Sequence, residues 1–174
     1  DPDQVYAELN TLSLHGQSKD ALAKMQVGGW KYDVITPGYK CNMTDIQAAI
    51  GLVELERYES ETLPRRRELC ELYNRGFDKH YWAVLPEFED RHGSRSSHHL
   101  YPLRIEGIDE DTRDRIIATL AEKNIAANVH FRPLPMLTAY RERGYAITDF
   151  PEAYDSYRCE ISLPLFYDLT KDQV

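Results

Sequence analysis

The sequence predicts an α/β chain, with a small mixed sheet and helices in the α+β manner of a small domain, and one long helix connecting it to whatever lies upstream. Three features predict this. Segments 98–105 and 125–131 alternate apolar and polar residues with the period of two that suits half-buried strands. A helical pattern lies between them, with Ile116, Ile117, Leu120 and Ala121 spaced to face inward. Upstream, Thr44 and Gln47 form a capping box that opens a helix with apolar residues recurring well beyond it.

Taken in order, Asp1-Pro2-Asp3 followed by Val5, Leu9 and Leu12 reads as a short helix with acidic residues in its first turn. The polar run Ser13 to Asp20 ends it and, with Gly28-Gly29-Trp30, brackets a short helical piece around Ala21 to Met25. His15 reads as a turn residue hydrogen-bonded locally. Pro37 and Gly38 break the backbone before the capped helix. There Ile46, Ala49, Ile50 and Val53 form one apolar stripe and Ala48, Leu52 and Leu55 a second, which predicts a buried helix. Its entry loop brings a cation, Lys40, and an amide, Asn42, to the positive end of the helix, where an anion can be received. The same residues also suit a solvated lysine beside an asparagine turn. Pro64 then either kinks the helix or restarts it with Thr62 as cap, and Leu69, Leu72 and Tyr73 carry an apolar stripe toward Gly76.

Residues from Trp82 to Leu85 read as extended, and 87–97 as a polar loop with His80 and His92 on the surface. Pro102 predicts an edge position for strand 98–105. Gly107 to Asp111 leads into a helix ending near Asn124. In the second strand Ile125, Ala127, Val129 and Phe131 share one face, and Asn128 and His130 the other. Pro133-Leu134-Pro135 is expected to be rigid and extended, before a short helix through Tyr140 that Gly144 ends. A further helix fits Phe150 to Tyr157, with Asp149 as cap and Pro151 behind it. A short strand over 160–165 follows, and Thr170 to Val174 looks like a helix beginning.

With 174 residues, 42% hydrophobic and 29% charged, the chain falls in the soluble globular class and can bury one substantial core. A net charge of −8, with no basic cluster longer than Arg65-Arg66-Arg67, argues against a nucleic-acid surface. The three cysteines form neither a CxxC nor a Cys/His ligand pattern, so no metal site is expected, and a reducing, cytoplasmic setting suits them. No apolar run approaches the roughly 20 residues that span a bilayer, and no signal peptide is seen. The start at Asp1 and the incomplete last helix suggest a piece of a longer chain.

The run Gly38-Tyr39-Lys40-Cys41-Asn42-Met43-Thr44-Asp45-Ile46-Gln47-Ala48-Ala49-Ile50-Gly51 closely resembles a segment of the nucleotide-sugar aminotransferases of the DegT/DnrJ/EryC1/StrS family, with Cys41 in place of a tyrosine. In the same order, Ser96-Ser97-His98-His99-Leu100-Tyr101-Pro102, Asn128-Val129-His130-Phe131-Arg132-Pro133-Leu134, Tyr140-Arg141-Glu142-Arg143-Gly144-Tyr145 and Ser162-Leu163-Pro164-Leu165-Phe166 resemble further segments of that family. The resemblance implies the C-terminal part of a fold type I pyridoxal-phosphate (PLP) enzyme. Residues 1–60 would be the tail of the large cofactor-binding domain and 61–174 the small C-terminal domain. It implies transfer of an amino group, usually from glutamate, to a keto nucleotide-sugar for surface polysaccharide synthesis, in a homodimer with composite sites. Lys40 and Asn42 would meet the cofactor phosphate, and His130, Phe131 and Asn128 the substrate. The lysine that forms the Schiff base belongs to a segment that nothing here resembles, so this chain alone is expected to be inactive. Departures fall near the site. Lys40 and Asn42 match only a subgroup, Phe131 stands where tyrosine is frequent, and Pro135 where a second histidine is common.

Two other readings fit the residues. One keeps the family but makes the parent a PLP-dependent sugar dehydratase, with histidine in place of the lysine. The other is a non-catalytic α/β module for dimerisation or binding.

Overall fold

The computed structural model describes residues 1–18, 33–41 and 43–174. The helix expected around Ala21 to Met25 and the Asn42 side chain lie outside the described residues. The chain forms two compact units, Asp1–Glu56 and Arg57–Val174.

In the first unit α1 (Pro2–Ser13) begins as expected, with the Asp1 carboxylate accepting from Asp3 N at 3.0 Å. Its C-terminal end is laid against the segment before the capped helix. Tyr39 N donates to Leu12 O at 2.7 Å, His15 N to Tyr39 O at 2.8 Å and Cys41 N to Ser13 O at 3.0 Å, and Leu14 and Lys40 form an antiparallel bridge. The approach is so close that a Cβ on Gly38 would stand 2.4 Å from Gly16 N, and Gly16 itself has φ +72° against Thr36 O. Only glycine fits either position. His15, with φ 61°, stands in a turn as expected, but its N–H donates to the distant Tyr39 O rather than locally.

Helix α2 (Asp45–Arg57) starts at the expected capping box: Gln47 N donates to Thr44 Oγ1 at 3.3 Å and Thr44 N to Gln47 Oε1 at 3.0 Å. Its expected burial is not observed. No residue of α2 is buried, and Ile46 is 76% and Ile50 63% exposed. Periodicity marks a face that gains by being covered; it does not supply the cover.

Past Arg57 the helix widens through a π-helical turn, Tyr58–Thr62, and continues as α3 (Leu63–Phe77). Thr62 is helical and caps nothing, and Leu63 N reaches back to Tyr58 O. Of the two expected outcomes at Pro64, the irregular but continuous helix is the one observed, because a wider turn absorbs the hydrogen bond that proline cannot make.

Three strands form an antiparallel sheet in the order β1 (Ala83–Val84), β2 (Tyr101–Ile105), β3 (Glu160–Leu163). The core lies where α3 crosses it: Leu69, Cys70 and Tyr73 pack on Tyr101 and Leu103, closed by Leu169. The Tyr73 and Tyr101 rings meet at a tilt with centroids 4.7 Å apart, and each hydroxyl is satisfied, Tyr73 by Pro164 O at 2.9 Å and Tyr101 by Asn74 Oδ1 at 2.7 Å.

The edge position expected for strand 98–105 is corrected, since β2 is central. Pro102 is tolerated because its partner Ser162 turns both main-chain groups the other way, to Asn128, so Pro102 and Ser162 are a non-hydrogen-bonded pair. On the other flank, β1 pairs only with Arg104 and Ile105. The strand expected over 125–131 shrinks to one bridge, Asn128 with Ser162. Extending it in one direction would require an N–H from Pro164, which has none; in the other, the Glu160 carbonyl already accepts from Arg113.

Helix α4 (Glu110–Glu122) is capped by Asp109, which accepts from Thr112 N at 2.9 Å, and ends at Asn124 in the left-handed region with φ 60°. Ile116, Ile117 and Leu120 are half-buried and Ala121 is exposed; the one buried residue of α4 is Arg113. Pro133 is extended as expected, but residues Leu134–Met136 close a 3₁₀ turn ahead of α5 (Thr138–Arg141). Helix α6 (Pro151–Arg158) has Phe150 rather than Asp149 at its cap position, and the helix expected from Thr170 begins as a 3₁₀ turn, Lys171–Gln173, with Thr170 and Gln173 forming a capping box.

Arg113 ties these parts together. It is 1% exposed, donates through Nη1 to Tyr157 O at 2.7 Å, lies over the Tyr157 ring at 4.5 Å, and pairs with Asp114 and Glu110. Arg113→Ala should lower unfolding stability by about 2–3 kcal/mol, since it strands buried carbonyls of α6 and β3. Asp114→Asn should cost about 0.2–1 kcal/mol, since that carboxylate is 61% exposed. Urea titrations of the two variants test the contrast; equal losses would contradict it.

Candidate functional site

In the second unit β1 and the chain after it, the second face of β2 and β3, and the end of α6 enclose an open cavity of about 630 Å³. Arg104, Glu160 and Pro102 line it because alternation turns them away from Tyr101, Leu103 and Ile161, which face the core. His130, Tyr157 and Glu87 complete its polar wall.

Of the residues expected to meet substrate, His130 lies in this wall. It is half-buried, and its Nδ1 is buried with no hydrogen-bond partner among the described residues. A bound polar group satisfying that nitrogen would relieve a desolvation cost of roughly 1–3 kcal/mol. Phe131 does not line the cavity. It is 76% exposed and meets the His130 ring edge-on at 4.8 Å. Asn128 is also outside the lining; its main chain bonds Ser162 and its Oδ1 accepts from Val129 N at 2.8 Å.

Sequence reasoning missed Glu160 and Ser162. Glu160 is only 6% exposed, and its carboxylate accepts from His130 N at 3.0 Å and from Ser162 Oγ. Burial pushes the carboxyl above its usual range, a rise that the two donors reduce. The available signal was the alternation of Glu160 and Ser162 against Ile161 and Leu163, which puts an acid on the face opposite the core.

Lys40 belongs to the first unit. Its main chain is fixed by the bridge to Leu14, and it precedes by four residues the Thr44 cap of α2. A cation ahead of a helix N-terminus is a donor set suited to a phosphate dianion. Asn42, the second expected phosphate ligand, lies outside the described residues.

The family model for the DegT/DnrJ/EryC1/StrS aminotransferase family matches residues 1–174. An uncharacterized protein of Methanocaldococcus jannaschii, MJ1066, is 39% identical over all of this chain and 45% of its own length. The spore coat polysaccharide biosynthesis protein SpsC of Bacillus subtilis is 35% identical over the same shares. A solved structure described as a sugar aminotransferase, Spr1654 from Streptococcus pneumoniae in its PMP form, is 47% identical with a TM-score of 0.86, covering 99% of this chain and 43% of that one. Its PLP form matches at 42% identity, with a TM-score of 0.85 and coverage of 99% and 41%. The chain spans less than half the length of these relatives.

The raised pKa of Glu160 fixes the sign of a pH effect. Because the folded state holds the proton more tightly than the unfolded state, this group's contribution is fully present below the unfolded value near 4.5 and is lost as pH rises through the folded value. Glu160→Gln, which keeps an acceptor for His130 N but cannot ionise, should therefore show a smaller loss of stability between pH 4.5 and neutral pH than the parent. Denaturation midpoints across that range measure it, and parallel curves would count against it.

Proposed function

Because the chain belongs to the DegT/DnrJ/EryC1/StrS aminotransferase family, we propose that it is the C-terminal part of a PLP-dependent enzyme moving an amino group, from glutamate, to a keto nucleotide-sugar. The product would serve surface polysaccharide synthesis. The carrying observation is the match along 99% of the chain to a structure described as a sugar aminotransferase, at 47% identity and a TM-score of 0.86. The name of SpsC supports the polysaccharide setting. In this reading residues 1–60 end the large domain, 61–174 form the small domain, and the enzyme is a cytoplasmic homodimer with composite sites. The fold itself is that of the corresponding part of fold type I PLP aminotransferases.

PLP would supply the electron sink for amine transfer. Lys40 would neutralise the cofactor phosphate and Asn42 would donate to it, at a loop that α1 and the Thr44 cap hold in place. His130 would bind the sugar substrate from the wall of the cavity, with its free ring nitrogen able to hold or pass a proton there. Phe131 would shield the imidazole edge from water, and Asn128 would anchor the segment that carries both.

The full-length protein, loaded with PLP, should change its visible spectrum with glutamate and recover it on adding a keto nucleotide-sugar, with the amino sugar detected by mass. Failure with every keto sugar would overturn the aminotransferase assignment; loss of a sugar hydroxyl without amine gain would indicate the dehydratase. Lys40→Ala and Asn42→Ala, made singly, should each weaken PLP affinity by about 1.5–3 kcal/mol without abolishing the dimer. Unchanged affinity in both would remove that assignment. His130→Ala should depress kcat/KM far more than stability, and an equal loss of both would make the histidine structural.

A further inference from the structure

Beyond Asn128 the chain leaves the ladder of β3, and the next inward amide, His130 N, has Glu160 Oε2 as its acceptor at 3.0 Å. The main-chain carbonyl that a continuing ladder would use, that of Glu160, accepts from Arg113 Nη1 at 3.4 Å. The other carboxylate oxygen of Glu160 accepts from Ser162 Oγ, so the side chain is held from a second side. Asn128 N donates to Ser162 O at 3.1 Å, and Ser162 N to Asn128 O at 2.8 Å. Strand β3 thus grips the segment at alternate residues, once by main chain and once by side chain. His130 is the residue gripped by the side chain.

We propose that Glu160 is a positioning residue for His130: its buried carboxylate, in place of a sheet ladder, fixes the main chain at His130 and with it the place of the imidazole in the cavity wall. The inference rests on the proposed function in one respect, that His130 meets the sugar substrate. For packing alone an apolar residue at this site of β3 would serve better, because burying a carboxylate costs free energy that its hydrogen bonds must offset. What the carboxylate adds is a rigid acceptor at a point where strand pairing supplies none. A side chain held by its own partners is the kind of support that keeps a reacting group within a fraction of an ångström of its place.

The test uses the full-length PLP-loaded protein and the variants Glu160→Ala, Glu160→Gln, His130→Ala and the Glu160→Ala/His130→Ala double variant. Two quantities are read: kcat/KM for the keto nucleotide-sugar, and deuterium uptake in the peptide covering residues 125–133. Glu160→Ala should lower kcat/KM on the order of 10²-fold and speed uptake in that peptide. Glu160→Gln should restore most of both. The double variant should fall no further than His130→Ala alone, since two residues acting through one imidazole are not additive. Losses that multiply in the double variant, or unchanged uptake in Glu160→Ala, overturn the proposal, as does faster uptake with kcat/KM intact. Should Glu160→Ala not fold, Ser162→Ala, which frees one carboxylate oxygen, gives the same comparison with a smaller fall. A parent that aminates no keto sugar overturns the functional reading instead, and uptake then still decides whether Glu160 holds His130.

Discussion

The buried guanidinium of Arg113 is the interaction on which the second unit turns. It reaches from α4 to the Tyr157 carbonyl near the end of α6 and the first carbonyl of β3, and its charge is matched by Glu110 and Asp114. An arginine this deep is tolerated because its donors find carbonyls and carboxylates in fork geometry and its plane lies on the Tyr157 ring. The consequence runs outward. With its carbonyl engaged by Arg113, Glu160 has only its side chain left to offer His130, and a structural contact in the interior thereby shapes the wall of the cavity.

The opposite face of the sheet is chemically quiet. Burial pushes the Cys70 thiol and the Tyr73 phenol each up to about 12 and the Tyr101 phenol higher still, so none of them ionises near neutral pH. These groups fill volume and close hydrogen bonds between α3, β2 and the chain after β3. Arg65 adds a clasp on the same side, donating to Tyr167 O and Leu169 O while pairing with Glu68. The division of labour follows from strand alternation: aromatic and aliphatic residues hold the helix on one face, and ionisable residues are left to the cavity on the other.

What was legible in the sequence was whatever depends on neighbours in the chain. The start of α1 at Asp1-Pro2-Asp3, the Thr44–Gln47 box, the end of α4 near Asn124 and the alternation of Tyr101, Leu103 and Ile105 are each set within a few residues of one another, and sequence and structure agree on them. Misreadings fell where a distant residue decides. Pro102 became central because Ser162 bonds away from it, and the strand over 125–131 was cut short by Pro164 and Arg113. Arg113 carries no local sign of its burial, since nothing near it in the chain announces that two carbonyls some 45 residues away await it. The histidine of the site was visible through motif resemblance, whereas Glu160, which holds it, carried no motif.

Helix α2 separates two questions that sequence periodicity joins. Its apolar stripes predict a buried helix behind the loop bearing Lys40. In the first unit that loop is placed while Ile46, Ile50 and Val53 remain largely exposed. The placing is done by hydrogen bonds from Tyr39 and Cys41 to the end of α1, by the glycine contact of Gly16 and Gly38 that only residues without a Cβ permit, and by the reciprocal cap at Thr44. Each is a short-range, directional constraint that acts whether or not the helix is covered. The position of the cation thus comes from backbone pairing, and the apolar face of α2 is left as a separate surface whose covering would add stability without being needed to build the loop.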